Sequence, residues 1–378
     1  MIQEEEHKNT ASSKWVVYLK NTCYILFALI IFLFALDLMI SSLHQLGKTA
    51  AETILIATSN PFTSLFIGLL ATAIIQSSSA TTSMVVALVA SGAITPESAV
   101  PMVMGANVGT TITSTLISLG FIAKRNEFIR AVSAGTYHDF FNILTVSILF
   151  PFEYYFGFLS KLSHHLALLF FNEAPSTVAQ EFSGLGTKSS FLVQFLMEHV
   201  SNGFILTVLS FVLLFGSVLF FRKVLTDLLG FDSENNVQKF FFKNRLKSFG
   251  WGLITTATIR SSTITTSLVV PLVAKGIVNL RNAAPFILGA NIGTTITAFI
   301  ATIFNSNGAI DIAITHFLIN FFGVILFLLV PYLRELPLIL ALGLGKLTRK
   351  YRLVGFIYIL MVFFVIPFLL IYFYKGLS

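Results

Sequence analysis

Residues Ser77–Thr113 read SSSATTSMVVALVASGAITPESAVPMVMGANVGTTIT, and residues Ser261–Thr297 read SSTITTSLVVPLVAKGIVNLRNAAPFILGANIGTTIT. The offset is constant, since 261 − 77 = 184 and 291 − 107 = 184, and more than half of the paired positions are identical without a gap. Similarity continues backward, where Gly68 and Thr72 match Gly252 and Thr256. It continues forward, where His138/Asn142 and His316/Asn320 keep their spacing after a loop six residues different in length. A duplication this regular sets the fold before any single residue does.

The surroundings of the duplicated stretch are apolar. Of 378 residues, 55% are hydrophobic, 40 are Phe and only 11% are charged, with a mean hydropathy of +0.85. Soluble domains carry about 25% charged residues, so the outer surface of this chain is built for lipid. Runs at Thr22–Leu46, Phe128–Phe150, Phe191–Phe221, Ala309–Tyr332 and Val354–Tyr374 reach the ~20 residues that a spanning helix needs. The expected class is an all-α polytopic membrane protein. Cys23 is the single cysteine, which rules out an intramolecular disulfide or a cysteine metal site.

The net charge of +7 sits in short loops, as orientation by the positive-inside rule requires, and a nucleic-acid surface is not indicated. Lys124, Arg125 and Arg130 mark one loop as cytoplasmic; Arg222, Lys223, Lys243, Arg245 and Lys247 mark another. The loop Pro151–Ser189 between them is poor in Lys and Arg and is expected outside. Three crossings then separate the starts of the two repeats, and an odd number inverts the second copy relative to the first.

That count requires residues 60–90 to enter and leave on one side. Their centre, Gln76–Ser83, is the polar run QSSSATTS, which a straight span would press against hydrocarbon. The stretch reads as a re-entrant hairpin, with residues 249–274 as its counterpart. The alternative is two ordinary spans whose Ser and Thr side chains bond back to their own helix. The full division is a cytoplasmic segment 1–21, repeat 1 over 22–188 (hairpin 60–90, broken helix 98–121, span 128–150, outer loop), repeat 2 over 189–350 (hairpin 249–274, broken helix 282–304, span 309–332) and a C-terminal span 351–378.

Two motif pairs carry the chemistry. Gln76, Ser77, Ser78, Ser79, Thr81, Thr82 and Ser83 stand opposite Arg260, Ser261, Ser262, Thr263, Thr265, Thr266 and Ser267. Gly105-Ala106-Asn107-Val108-Gly109 with Thr110 and Thr111 stands opposite Gly289-Ala290-Asn291-Ile292-Gly293 with Thr294 and Thr295. The glycines permit unwinding of the span around each Asn. Exposed helix starts favour phosphate-like oxygens, while carbonyls, hydroxyls and amide oxygens can replace the hydration shell of Na+. Neutral oxygens without a carboxylate cluster argue against Ca2+ or a transition metal.

QSSSATTS followed by MGANVGTT resembles the signature of the type II sodium–phosphate cotransporters, over about Asn60–Asn142 and Asn244–Asn320. The resemblance implies Na+-coupled uptake of inorganic phosphate by alternating access, with Na+ as the coupling ion and no cofactor. In length the chain resembles short bacterial members without a soluble regulatory domain, which implies a bacterial inner (plasma) membrane. Carried over by position, Ser77, Ser78, Ser79, Arg260, Ser261, Ser262, Thr263, Asn107 and Asn291 are expected at phosphate. Gln76, Thr81, Thr82, Ser83, Thr265, Thr266, Ser267, Thr110, Thr111, Thr294 and Thr295 are expected at Na+. Inorganic phosphate, Na+ and the lipid bilayer are the expected partners, and a homo-oligomer is compatible with them.

Arg260 departs from the family pattern, which has Gln in both copies. It either faces the anion with its planar fork or pairs with a buried carboxylate such as Asp37 or Asp139. Sulfate, arsenate or a carboxylate as cargo, and H+ as driving ion, stay open on these residues. No HExxH or GxSxG motif points to a membrane enzyme, and a passive channel would need a continuous pore. His138 with Asp139, and His316, fit either a proton relay or, more commonly, interhelical hydrogen bonds, and the Lys239–Lys247 stretch fits a membrane-surface helix.

Overall fold

The computed structural model describes residues 60–171, 191–200, 202–228, 241–242, 244–302 and 309–375, with scattered positions between 20 and 58. Residues 22, 25, 29, 33, 36, 40, 43, 44 and 46 of the expected span Thr22–Leu46 lie outside the described residues, as do 239, 240 and 243 of the Lys239–Lys247 stretch. Every regular element among them is a helix. In chain order these are α1 (Pro61–Ile75), α2 (Ser78–Ala90), α3 (Pro96–Gly109), α4 (Ile112–Leu119), α5 (Arg125–Phe156), α6 (Phe158–Phe171), α7 (Phe191–His199) and α8 (Gly203–Leu228). There follow α9 (Arg245–Ile259), α10 (Ser262–Ala274), α11 (Leu280–Gly293), α12 (Thr295–Thr302), α13 (Ala309–Val324), α14 (Pro331–Thr348), α15 (Val354–Leu360) and α16 (Ile366–Lys375). π-helical turns at Ile325–Leu329 and Met361–Val365 extend α13 and link α15 to α16. Among the described residues four stretches are long and apolar enough to cross a membrane, five if the bent pair α5–α6 is one span.

The two copies are built by the same local rules. Asn60 and Asn244 cap α1 and α9, and Thr95 and Asn279 cap α3 and α11, each side chain accepting a first-turn N–H. α1 stops at Gln76 and α9 at Arg260, both left-handed with φ 58°. Ser77 and Ser261 then start α2 and α10 from extended backbone (φ −151° and −148°). The polar runs thus break the chain into separate helices of 15 and 13 residues in each copy.

α1 packs on α3 and α9 on α11 so closely that side chains are excluded. A Cβ on Gly105 would lie 1.8 Å from the Leu65 carbonyl oxygen, and one on Gly289 would lie 2.0 Å from that of Phe249. Here the structure corrects the expected unwinding. The motif glycines are inside α3 and α11 and permit backbone contact. The interruption is mild and falls just after them, at Thr110 and Thr111, both still right-handed.

Two further differences have local causes. The expected span Phe191–Phe221 is divided into α7 and α8. Asn202 takes the N–H groups of Phe204 (3.0 Å) and Ile205 (3.4 Å), and His199 Nδ1 donates to the Phe195 carbonyl (2.9 Å). Start and stop signals of this kind are invisible to an averaged hydropathy. The loop Pro151–Ser189 carries α6, turned 79° from α5. Gly157 ends α5 at φ 59°, and the Glu153 carboxylate accepts from the N–H of Leu159 (2.6 Å), the N–H of Ser160 and the Ser160 hydroxyl. α15 and α16 lie at the periphery, packed mainly on α4 and α1.

Candidate functional site

The Ser/Thr-rich helices are exchanged between copies. α2, from the first repeat, packs on α12 and α13 of the second; α10, from the second, packs on α4 and α5 of the first. The exchange is direct at side-chain level, where the hydroxyls of Ser114 and Thr266 meet at 3.1 Å. Hydroxyls that would be wasted against lipid are enclosed by protein: Ser78 and Ser262 are each 2% exposed.

At the start of each helix the serine hydroxyl oxygen is used as a cap. Ser77 accepts from Ala80 N–H and Ser261 from Ile264 N–H, both at 3.3 Å. Thr81 and Thr265 donate back to the carbonyls of Ser77 (3.2 Å) and Ser261 (3.0 Å), and Thr266 to that of Ser262 (2.8 Å). Thr111 and Thr295 donate to Val108 and Ile292, each at 2.8 Å. A hydroxyl whose proton is committed in this way keeps its lone pairs, so these threonines are acceptors of the kind a hard cation uses. The hydroxyls of Thr82, Ser83, Thr110 and Ser267 are buried with no partner in the protein. Each orphaned group costs about 1–3 kcal/mol unless a ligand or water meets it. Ser78, Ser79 and Thr263 lie buried in the same first turns, and Thr294 is buried just beyond α11. Arg260 is half-buried at the break itself. The donor set fits a tetrahedral oxyanion beside Na+.

Asn107 and Asn291 are brought together with a second group of residues rather than standing alone. His138 Nε2 meets Asn291 Oδ1 at 2.6 Å, and Asn291 Nδ2 donates to Asn142 Oδ1 at 2.7 Å. Asn142 Nδ2 in turn donates to the Asn107 carbonyl at 2.6 Å. On the other side His316 Nε2 lies 3.2 Å from Asn107 Oδ1, with Asn320 Nδ2 at 3.5 Å. Each repeat's His thus holds the other repeat's motif Asn. These are interhelical hydrogen bonds of the kind expected for the histidines. Asn107 Nδ2 remains buried without a protein partner, a donor directed by this network.

Beside the network, the Asp139 carboxylate accepts from the Thr115 hydroxyl at 2.7 Å, with Thr111 and Tyr358 next to it. Sequence reasoning weighed Asp139 as a partner for Arg260 and missed its hydroxyl neighbours. Thr115 lies four residues beyond Thr111 on a helical path, and that spacing was the available signal. Asn142 and Asn320 were visible as repeated positions, but nothing in one sequence said which Asn they would meet.

The Na+/Pi-cotransporter family model matches residues 31–171 and again 212–348, one match for each copy. The sodium-dependent phosphate transport protein 2C of Rattus norvegicus is 33% identical, over 92% of this chain and 71% of its own length. Protein 2B of Homo sapiens is 28% identical, over 89% of this chain and 62% of its own, and protein 2A of Rattus norvegicus is 29% identical, over 90% and 65%. The chain therefore spans between 62 and 71% of the length of these curated relatives. No solved structure matches it. The family match and the apolar helices make this an integral, multi-pass membrane protein and not an enzyme. On the doubled match, which covers most of the sequence, the chain belongs to the Na+/Pi-cotransporter family.

Proposed function

We propose that this chain takes up inorganic phosphate coupled to Na+ by alternating access. The observation that carries the reading is the exchanged pair of broken, Ser/Thr-rich helices, each buried against the opposite copy. In this reading α1–α2 and α9–α10 are re-entrant hairpins of two inverted repeats, over 22–188 and 189–350. Phosphate sits at the starts of α2 and α10, held by Ser77, Ser78, Ser79, Ser261, Ser262, Thr263 and Arg260, with Asn107 and Asn291 behind them. Na+ is held by Gln76, Thr81, Thr82, Ser83, Thr265, Thr266, Ser267, Thr110, Thr111, Thr294 and Thr295. The relatives named for sodium-dependent phosphate transport support this cargo and this ion.

Arg260 occupies the backbone position that Gln76 holds in the first copy, with the same left-handed φ. Its fixed charge does the work of one coupling cation there. Arg260→Gln is expected to raise the Na+ Hill coefficient of uptake; an unchanged coefficient removes this role. The same residue supports the one other reading, in which the cargo is arsenate or the driving ion is H+. The decisive measurement for both is uptake of radiolabelled phosphate into proteoliposomes under a Na+ gradient, a K+ gradient or a pH gradient. Uptake that rises only with the Na+ gradient and saturates is the expected result. Uptake indifferent to Na+ overturns the proposal.

A further inference from the structure

Away from the exchanged helices, α9, α11 and α14 bring their first turns to one open cleft. Arg245 is the first residue of α9, Arg281 the second of α11 and Arg334 the fourth of α14, and all three line it. None of the three first turns carries an acidic residue. A cation in a helix's first turn opposes the positive end of the helix dipole, so each arginine is placed against local electrostatics. One carboxylate answers them: Glu335 pairs with Arg281 at 2.8 Å and stands 3.7 Å from Arg334 Nε. The cleft is left with two positive charges in excess.

The shared fold does not require this cluster. At the offset of the duplication, Arg245 corresponds to Pro61 (245 − 184 = 61) and Arg281 to the acidic Glu97 (281 − 184 = 97). The first copy builds the same caps and turns without cations. Deeper in the cleft the lining turns apolar, with Leu288 and Leu338, and with Phe327 and Leu328 supplied by the π-helical turn after α13. A π turn in a helix is rare and tends to mark a functional position. Tyr137, on the cleft floor, is the neighbour of His138 in the central network.

We propose that this cleft binds a phosphate-bearing anion, its oxygens on Arg245, Arg281 and Arg334. Guanidinium forks suit phosphate oxygens, and basic pockets between membrane helices take anionic headgroups. An anionic phospholipid satisfies both parts of the lining, headgroup on the arginines and chain on the apolar wall; free phosphate offers the same oxygens without the chain. The reading under Proposed function is needed only to place the cleft on the cytoplasmic side, through the positive-inside rule.

Binding to the purified full chain in neutral detergent tests this without any transport step. The probes are dioctanoyl-phosphatidylglycerol, dioctanoyl-phosphatidylcholine and inorganic phosphate, titrated against wild type, Arg245→Gln, Arg334→Gln and Ser262→Ala. Arg245→Gln leaves the Arg281–Glu335 pair intact, so it keeps the test valid if Arg334→Gln fails to fold. The expected result is saturable phosphatidylglycerol binding, weakened about tenfold by each arginine change and untouched by Ser262→Ala. Inorganic phosphate binding with the same arginine dependence would make free phosphate the ligand and keep the site. If phosphatidylcholine binds as well as phosphatidylglycerol, or no anion responds to Arg245→Gln, the site does not exist. Arginine-dependent binding in a protein that fails to transport phosphate would leave the cleft standing and remove only the transport reading.

Discussion

Asn291 is less than 1% exposed and satisfies two partners at once, His138 and Asn142, across 153 and 149 residues of sequence. Replacing it with Leu keeps the volume but strands both partners, at about 1–3 kcal/mol each. The expected outcome for Asn291→Leu is a fall of several degrees in melting temperature together with lost uptake. A double-mutant cycle of His138→Ala and Asn291→Ala is expected to show a coupling of about 0.5–3 kcal/mol; additive effects would mean the 2.6 Å contact does not bind the copies. The sequence made both asparagines visible as motif residues and both histidines as repeated ones. Which His meets which Asn was not legible, because that pairing depends on how the copies pack.

At the scale of elements, the breaks at Gln76 and Arg260 and the backbone contacts at Gly105 and Gly289 answer different needs. Gly105→Ala would press a methyl group into the Leu65 carbonyl at 1.8 Å, where overpacking costs about 1–3 kcal/mol or more. Loss of monodisperse protein on size exclusion is the expected outcome; normal folding would contradict the close packing of α1 on α3. Gln76→Gly removes a side chain but keeps the left-handed backbone at no steric cost. It is expected to fold as wild type and to bind Na+ more weakly in uptake titrations. A folding defect there would assign Gln76 to structure alone. The breaks were legible because eight polar residues cannot face lipid. The glycines were misread because Gly serves both unwinding and close approach, and only a neighbouring helix decides between them. The division at Asn202 was missed because a strongly apolar run hides one capping side chain.

For the whole molecule, the duplication was legible from a constant offset, and the exchange of α2 and α10 between copies was not. The proposed inversion would place Glu97 and Arg281, equivalent and exposed positions, on opposite sides of the membrane. In a Cys23→Ser background, an impermeant maleimide added outside is expected to label Glu97→Cys and to reach Arg281→Cys only after permeabilisation. Labelling of both from one side would cancel the inversion. If Na+ and phosphate share one shell, each raises the other's affinity by the same factor.

The proposed function makes the exchanged helices one phosphate site built by both copies, and binding stoichiometry measures that directly. Equilibrium binding of radiolabelled phosphate to the purified chain in Na+ is expected to give one phosphate per chain, lost in Ser78→Ala and equally in Ser262→Ala. Two phosphates per chain, with one surviving each substitution, would mean that each copy binds alone and that the shared site is wrong.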